Sequence, residues 1–394
     1  MKKIFYRCKK CLFPSTKPDL HFDDKGVCMA CHYVEYHKAI DWKKRENDFY
    51  VLLEKIKKTN LITENSYDCV IPVSGGKDST YQVYLVTQKA GLKPLLVNFE
   101  PSSMTRVGQE NLDNLVNNFG CDLIQLKKSN TYKKLARLSF DLMGDHEWPN
   151  HVGIQCWPVQ MANNLNIKLI FHGETRGHIG LGRWETLIDE EAKILKRSDV
   201  EQYMGYMGFR ISDVIASDKS IKPKDVLPYI YPSKEKLLEK NINVYTLGHY
   251  FPWEFYSNME IIKKNGWKES SEKIEGTYAH HEDIDCGFMP MHQYFKFIKY
   301  GYGRATDHAS YEVRQGRISK EKAKELIIEH DNKIPKKNFK KLLNFLDINE
   351  EHFFKVRNRF ANPILFKKKD DKTFEQDENG NFITNKIWFD SFDV

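Results

Sequence analysis

The segment at positions 69–79 reads Cys69-Val70-Ile71-Pro72-Val73-Ser74-Gly75-Gly76-Lys77-Asp78-Ser79. An apolar run ends here at two adjacent glycines, and a helical pattern follows, which predicts a strand, a tight turn and a helix. Glycines allow the backbone to approach a phosphate closely. A helix that begins near Asp78 directs its free N–H groups and its positive dipole end towards an anion. The segment therefore predicts a phosphate-binding loop.

The side chains of this loop suit a nucleotide that is bound together with a metal ion. Ser74 and Ser79 can donate hydroxyl hydrogen bonds, Lys77 can neutralise phosphate charge, and Asp78 can hold a magnesium ion that bridges phosphates. The loop is not a Walker A loop, which requires four residues between its glycines and a Ser or Thr directly after its lysine. Lys77 and Asp78 are also predicted to be catalytic. The predicted ATP-binding set is Ser74, Gly75, Gly76, Lys77, Asp78, Ser79 and Asn98.

Further apolar runs at 95–99, 123–126, 169–171 and 243–247 alternate with helical patterns, one of them from about 106 to 119. This alternation predicts βαβ units, right-handed crossovers and a parallel sheet, and hence an α/β fold. Such a sheet binds ligands beyond the carboxyl ends of its strands, so we expect the chemistry in the loops after Val73, Phe99 and Phe171.

We expect three regions along the chain. Residues 1–45 would form a metal-binding domain, and residues 46–260 the α/β domain, with an insertion at about 183–240. Residues 261–394 would be mostly helical and end in a charged tail. Within this last region, Ser319 is predicted to cap the start of a helix.

Four cysteines near the N-terminus form two tight pairs, Cys8-x2-Cys11 and Cys28-x2-Cys31. This spacing is typical of a zinc ribbon, in which four thiolates close a tetrahedral shell. Because no coordination position stays open, the predicted zinc ion is structural rather than catalytic. A pair of disulfides and an iron–sulfur cluster are the alternatives.

The composition is that of a folded protein with room for two or three domains in its 394 residues. Its 61 Lys and Arg against 54 Asp and Glu give a net charge of +7, which is compatible with nucleotides, sugar phosphates or nucleic acid as ligands. No run of 18 apolar residues occurs, and the first residues lack the apolar core of a secretory signal. We therefore expect a cytoplasmic protein without a membrane span. The lysine runs at 336–337, 340–341 and 367–369 are expected to be solvated.

The string SGGKDS at 74–79, placed after an apolar strand, resembles the signature of the PP-loop ATP pyrophosphatases. In that family the loop binds the pyrophosphate of ATP, and a substrate oxygen attacks the α-phosphate. A nitrogen or sulfur nucleophile then displaces AMP. The resemblance implies a HUP-like parallel sheet and the use of ATP with Mg2+, and it does not specify the acceptor.

Two branches of that family compete for the acceptor. The tRNA thiolases also combine metal-binding cysteines with this loop, but they carry paired aspartates after the fourth strand and usually a cysteine pair before it. Here the corresponding positions hold the single Glu174 and the single Cys156. A lone cysteine is more typical of a packed apolar thiol than of a nucleophile. An ATP-dependent tRNA-modifying enzyme is thus the second interpretation, and a non-catalytic nucleotide-binding module is the third.

More of the chain, from about residue 5 to 335, resembles the N-acetyl sugar amidotransferases of bacterial surface-polysaccharide synthesis. Their products belong to lipopolysaccharide O-antigen and nonulosonic-acid pathways. The resemblance includes the cysteine pairs, the phosphate loop, HGE at 172–174, HHED at 280–283 and YGRATDHAS at 302–310. It implies that ATP adenylates the acetamido oxygen of a sugar, either free or nucleotide-linked. Ammonia then replaces that oxygen and gives an acetamidino group.

The resemblance also suggests residue roles outside the loop. Glu174 would be catalytic, either as a second metal ligand or by orienting the acceptor. Arg304, Asp307 and His308 would bind the sugar substrate through a carboxylate or phosphate, for which arginine offers bidentate contacts. The alternative for this string is a helix N-terminus that Thr306 or Asp307 caps.

Two further points concern protons and ammonia. His280 and His281 can act as proton shuttles or can be satisfied loop histidines. No glutaminase signature is visible in the sequence. The resemblance therefore implies a separate glutaminase subunit together with a cyclase-like, channel-forming subunit, for which the zinc ribbon offers a docking surface. Nucleic acid is not an expected partner.

Overall fold

The computed structural model describes residues 5–59, 61, 62, 66–127, 129–173 and 209–394. A five-stranded sheet with the order β3-β2-β1-β4-β5 lies at its centre. All four strand pairs are parallel, which confirms the predicted α/β fold. The strands are β1 Cys69–Pro72, β2 Pro94–Phe99, β3 Asp122–Leu126, β4 Leu169–His172 and β5 Asn243–Thr246.

The predicted alternation of strands and helices is present. The helices of the N-terminal and sheet regions are α1 Met29–Lys38, α2 Trp42–Lys58, α3 Lys77–Tyr84, α4 Arg106–Phe119, α5 Asn130–Met143, α6 Trp148–Asn164, α7 Ile211–Ser217, α8 Lys234–Glu239 and α9 Phe255–Lys264. A π-helical turn, Leu85–Lys89, extends α3. Short 3-10 turns occupy Pro223–Tyr229 and Leu247–His249. The predicted insertion lies partly outside the described residues, and Glu174 lies outside them altogether.

The three central strands β1, β2 and β4 are buried on both faces, as their continuous apolar sequences require, and the edge strands β3 and β5 are half-buried. Ile71 and Leu96 pack in one apolar cluster with side chains from α2, α3 and α4. Val70 and Val97, which point to the opposite face, pack against α6 in another cluster. Because β2 and β4 flank β1 on opposite sides, the chain changes winding direction at β1. The loop after β1 therefore lies where open α/β sheets bind ligands.

The C-terminal region is helical, as predicted. Its helices are α10 Met289–Tyr300, α11 Arg304–Arg314, α12 Lys320–His330, α13 Phe339–Leu346, α14 Glu350–Phe360 and α15 Lys386–Asp390. The Ser319 hydroxyl accepts a hydrogen bond from the Lys322 N–H at 3.2 Å, so the predicted cap of α12 is confirmed. Rings of Phe140, Phe295 and Phe353 pack at centroid distances of 5.3–5.6 Å and tie α5 to this region.

The end of the chain is not the charged tail that we expected. Antiparallel bridges, Phe366 with Thr384 and Lys368 with Phe374, fold it back on itself. Phe366, Phe374 and Trp388 are buried, whereas the lysines at 367–369 are exposed. The prediction missed this because the phenylalanines that anchor the segment are separated by stretches rich in charged and polar residues.

The cysteine-rich N-terminus packs against the C-terminal region. The Arg7 guanidinium donates a hydrogen bond to Ser391 at 3.1 Å and lies 4.0 Å from the centroid of the Phe392 ring. The Lys17 ammonium lies 3.4 Å from the Asp307 carboxylate on α11. The two ends of the chain therefore share one packed interface.

Candidate active site

The phosphate loop is shaped by backbone constraints. Gly75 has φ +86°, and a Cβ built on it would lie 2.4 Å from the carbonyl oxygen of Gly108 in α4. Within the loop, the Ser79 hydroxyl donates to the Gly76 carbonyl at 3.1 Å and accepts from the Ser74 N–H at 3.3 Å. These bonds fix the conformation of the turn at the start of α3. The first N–H groups of this helix lack intrahelical acceptors.

Lys77 is buried at the start of α3, with 4% of its side chain exposed. Its ammonium lies 2.5 Å from the Asp78 carboxylate, 2.6 Å from the Glu282 carboxylate and 4.0 Å from the centroid of the Phe255 ring. The other oxygen of Asp78 accepts a hydrogen bond from the Trp253 indole at 3.1 Å. The ammonium of Lys77 is thus in contact with two carboxylates and the face of an aromatic ring at the mouth of the loop.

Glu282 joins this lysine to α11. One of its carboxylate oxygens contacts Lys77, and the other lies 2.5 Å from the guanidinium of Arg304. Arg304 also lies 3.4 Å from Asp283. Burial alone would raise the pKa of Glu282, but the positive charges of Lys77 and Arg304 hold it well below its usual range. Glu282 is therefore ionised, and the chain Lys77–Glu282–Arg304 connects the phosphate loop to the string at 302–310.

The other two residues of the predicted substrate set have different surroundings. Asp307 pairs with Lys296 at 2.5 Å and with Lys17 of the N-terminal region. His308 is buried, and its Nδ1 lies 2.7 Å from the Thr277 hydroxyl, while its Nε2 is buried without a hydrogen-bond partner among the described residues. Burial and the nearby Arg304 lower the pKa of His308 to about 3, so its ring is neutral.

Several other predicted residues lie away from this cluster. Asn98 is fully buried beneath the loop, where its amide donates to the Val73 carbonyl at 2.7 Å and accepts from Gln125 at 3.0 Å. Cys156 is buried, and its thiol contacts the Tyr229 carbonyl at 3.3 Å, as a packed thiol would.

The two neighbouring histidines differ in exposure. The side chain of His280 is exposed, whereas His281 is half-buried with its ring centroid 6.0 Å from that of His308. Burial lowers the pKa of His281.

A cleft of about 610 Å³ lies at the N-terminus of α4, the helix that Gly75 of the loop contacts. Its walls come from the N-terminus of α4, from residues 268–275 and from Asp283 and Cys286. This volume is within the range of small-molecule sites. At its edge, burial raises the pKa of Asp285 to about 6, and the Ser74 hydroxyl offsets part of that rise.

The four N-terminal cysteines converge as the spacing predicted. Their sulfurs are all buried within 4.8 Å of one another, with Cys11–Cys28 at 3.5 Å, Cys28–Cys31 at 3.7 Å and Cys8–Cys31 at 3.8 Å. Tetrahedral zinc with Zn–S bonds of about 2.3 Å places its sulfurs roughly 3.8 Å apart, so the cluster fits a zinc ion. The Arg314 guanidinium, at the end of α11, donates to the Cys11 sulfur at 3.5 Å.

Sequence reasoning missed three residues of the site. Glu282 and Asp283 stand in the string at 280–283, which pointed to the region but not to its contact with Lys77. Trp253 carried no signal in the sequence, because an isolated tryptophan is most often a core residue.

Comparison with known proteins finds a family model that is similar to part of this region. Residues 275–377 match the family model of the LPS biosynthesis protein WbpG-like C-terminal domain. This range contains Glu282 and α11. An uncharacterized protein of Methanocaldococcus jannaschii is 27% identical over 126 residues, which are 32% of this chain and 44% of that protein. The chain thus matches less than half the length of this relative.

Two solved structures share low similarity with the chain. The NMN synthetase of Francisella tularensis is 14% identical, with 71% of this chain and 94% of that chain covered and a TM-score of 0.30. The U34-tRNA thiolase NcsA of Methanococcus maripaludis with its 4Fe-4S cluster is 11% identical, with 84% and 90% covered and a TM-score of 0.28. Among the described residues, no helix has the length and apolar character needed to cross a bilayer.

Proposed function

We propose that this protein is an ATP-dependent amidotransferase that converts the acetamido group of an N-acetyl sugar into an acetamidino group. The observation that carries the proposal is the ion chain Lys77–Glu282–Arg304. It places the phosphate loop within one side chain of the region that matches an LPS-biosynthesis family model. Because ATP is the second substrate, the reaction belongs in the cytoplasm.

The proposed reaction has two steps. The acetamido oxygen attacks the α-phosphorus of ATP, the bond from that phosphorus to the oxygen bridging to the β-phosphate breaks, and pyrophosphate leaves. Ammonia then adds to the activated carbon, AMP leaves with the former amide oxygen, and loss of a proton gives the acetamidino group. The amide oxygen is a poor leaving group until it is part of AMP, which is why ATP is needed.

The chain's own residues have defined tasks in the first step. The ammonium of Lys77 and the N–H groups at the start of α3 would stabilise the departing pyrophosphate. The Asp78 carboxylate lies at the mouth of the loop, and each of its oxygens has lone pairs beyond those used by Lys77 and Trp253, so it fits a magnesium ligand. Magnesium would supply additional charge neutralisation on the phosphates.

The acceptor would lie on the far side of Glu282. Arg304 can hold a carboxylate or phosphate of the sugar, and the buried, unpartnered Nε2 of His308 offers a hydrogen-bond acceptor or donor nearby. Asp307 would act indirectly, because its carboxylate is taken by Lys296 and Lys17. Glu174 remains part of the proposed catalytic set on the strength of its position after β4.

Ammonia would come from a separate glutaminase subunit that acts with a channel-forming, cyclase-like subunit. The four-cysteine cluster would hold structural Zn2+. These partners and this metal complete the proposal. The zinc ribbon is largely engaged with the C-terminal region, so the partner surface would be its outward side.

The test uses the purified full chain with ATP, Mg2+, an N-acetyl sugar and isotopically labelled ammonium. We expect AMP and pyrophosphate, together with a sugar that carries the label in place of one oxygen. Lys77→Ala should abolish both products, while Lys89→Ala, which changes a more exposed lysine shortly after α3, should not. Formation of ADP and phosphate would overturn the proposal, and sulfur transfer to tRNA would establish the thiolation alternative instead.

A further inference from the structure

We propose that Asp145, His151 and His292 form a second metal site, which takes a divalent first-row transition ion such as Zn2+. One ligand atom from each of these residues lies within 4.8 Å of the other two. The three residues come from separate elements: Asp145 from the turn between α5 and α6, His151 from the first turn of α6, and His292 from α10. This inference is independent of the proposed function.

The state of the Asp145 carboxylate points to a cation. Asp145 is 1% exposed. Its Oδ1 accepts hydrogen bonds from the Glu147 N–H at 3.0 Å and from His292 Nδ1 at 2.9 Å. Its Oδ2 is buried without a hydrogen-bond partner among the described residues. A buried carboxylate oxygen without a partner is costly, and a metal ion would supply that partner.

The donor set selects the class of ion. Two imidazoles and one carboxylate suit zinc and its neighbours in the first transition row, whereas Mg2+ and Ca2+ prefer oxygen ligands alone. In a tetrahedral zinc shell the ligand atoms lie about 2.1 Å from the ion and so roughly 3.4 Å apart. The Asp145–His292 contact at 2.9 Å and the His151 and His292 ring centroids at 5.0 Å require only small side-chain movements to reach such a shell.

Among the described residues, the ligand atoms that lie within 4.8 Å of one another come from these three residues alone, and the neighbouring carboxylate of Glu147 is not one of them. Glu147 is fully buried, with one oxygen bonded by the Ser102 hydroxyl and the other by the Asn150 amide at 2.9 Å. Three protein ligands therefore leave at least one coordination position for water or another small ligand, as in zinc sites that are not purely structural.

The site lies close to the cluster around Arg304. One helical turn after His292, α10 carries Lys296, which pairs with Asp307 at 2.5 Å. On the other side of the site, Ser102 bonds Glu147 and also contacts the sulfur of Cys286 at 3.3 Å. Cys286 lines the cleft at the N-terminus of α4. A metal ion here would therefore stand behind the wall of that cleft.

A plain histidine–aspartate pair is the competing explanation, and the chain offers a matched control. His352 lies 2.6 Å from Asp141, and that pair has no third ligand among the described residues. The control variant His352→Ala should therefore break the contact with Asp141 without affecting any metal.

The experiment measures zinc per chain by elemental analysis after the full-length protein is loaded with Zn2+ and desalted. We expect two equivalents in the wild type and in His352→Ala, and one in His292→Ala and in His151→Gln. His151 is only half-buried, so His151→Gln should fold even if His292→Ala does not. Circular dichroism checks that each variant is folded.

Cobalt gives a second readout that distinguishes the two sites. Co2+ bound by the four cysteines shows thiolate-to-metal charge-transfer absorption, whereas Co2+ bound by nitrogen and oxygen ligands does not. The second equivalent of Co2+ should add absorption without charge transfer in the wild type but not in His151→Gln. A single equivalent of metal in the wild type, or two equivalents in folded His151→Gln, would overturn the proposal.

Discussion

Glu282 neutralises two cations, the buried Lys77 and the half-buried Arg304. Its carboxylate is shared between Lys77 at 2.6 Å and Arg304 at 2.5 Å, and it is largely buried. A phosphate group that contacts the ammonium of Lys77 must compete with this carboxylate, because both bind the same donor. Binding of a phosphate in the loop would therefore change the ion pair between Glu282 and Arg304.

We expect Glu282→Gln to lower the free energy of unfolding by about 3 kcal/mol, since it leaves the buried Lys77 and the half-buried Arg304 with less compensation. Added pyrophosphate should restore more of the lost stability in this variant than it adds to the wild type, because no carboxylate has to be displaced. Thermal melting with and without pyrophosphate measures both effects. Asp141→Asn is the control, because it breaks a pair with Arg137 at 2.8 Å on α5, away from the loop. Equal stabilisation of both proteins by pyrophosphate would contradict the competition.

His308 should make folding sensitive to acid. The pKa of His308 is about 3 in the folded protein and roughly 6.5 in an unfolded chain, so protons favour unfolding in between. The stability that the neutral ring contributes is complete above about pH 6.5 and is lost at up to roughly 1.4 kcal/mol per pH unit as the pH falls towards 3.

The measurement compares the wild type with His308→Gln, which keeps a polar side chain beside Thr277 but does not titrate. We expect the advantage of the wild type in denaturant unfolding to shrink between pH 6 and pH 4. The exposed His280→Gln variant controls for general effects of removing a histidine. An advantage that stays constant with pH would show that His308 does not titrate as expected.

Among the elements, the turn between β1 and α3 carries the tightest constraint. Gly75 combines a left-handed φ of +86° with a backbone carbonyl 2.4 Å from where its Cβ would be. The left-handed backbone conformation disfavours any residue that has a side chain. In addition, a Cβ at this position would clash with the backbone of α4. The loop thus depends on the position of α4 as well as on its own sequence.

Gly75→Ala should therefore destabilise the protein by several kcal/mol and abolish ATP cleavage. The matched control is Gly91→Ala, because Gly91 has φ +63° but nothing within 4 Å of a built Cβ. That variant should lose only about 1–2 kcal/mol, the cost of the left-handed conformation. Chemical denaturation and AMP release measure the two effects. Similar losses in both variants would show that contact with α4 is unimportant.

The elements of the sheet could be predicted because their signals are local. Apolar runs that end at glycines or polar residues marked all five strands, and the structure ends the first at Pro72 rather than at Val73. The cysteine spacing likewise predicted the cluster of Cys8, Cys11, Cys28 and Cys31. In each case the residues that determine the structure lie within about 20 positions of one another.

The contacts that define the site could not be predicted in the same way. Lys77 meets Glu282 and Asp78 meets Trp253 across more than 170 positions, and no local pattern encodes such a pairing. Asn98 is a further example: the sequence predicts that it contacts ATP, and the structure adds that its buried amide donates to the Val73 carbonyl at 2.7 Å. Only the folded sheet distinguishes a side chain above the loop from one beneath it.

At the scale of the whole molecule, the two termini stabilise one another. The buried Trp388 donates from its indole to the Gly301 carbonyl at 2.8 Å, and its ring lies 5.5 Å from the Arg7 guanidinium. The N-terminal segment that carries the four-cysteine cluster is thus attached to the last helix.

We expect Trp388→Ala to lower the free energy of unfolding by about 3–5 kcal/mol through the cavity it leaves. It should also speed hydrogen exchange in residues 5–31, because the ribbon loses its support. Phe389→Ala removes a neighbouring ring that is 43% exposed, so it should change both quantities little. Mass-resolved hydrogen exchange measures the effect on the ribbon, and unchanged exchange there in Trp388→Ala would contradict the coupling.

Helix α11 fixes the distance and the relative orientation of two clusters, the one around Glu282 and the four cysteines. Its first residue, Arg304, meets Glu282 near the phosphate loop, and its last, Arg314, meets the sulfur of Cys11. Each residue of an α-helix advances it by 1.5 Å and turns it by about 100°, so the 11 residues span roughly 16 Å. One residue inserted between the two arginines would swing one of them about 100° away from its partner. Only insertions or deletions of whole helical turns would keep both arginines facing their partners. Substitutions should therefore be tolerated along the helix far better than other insertions or deletions.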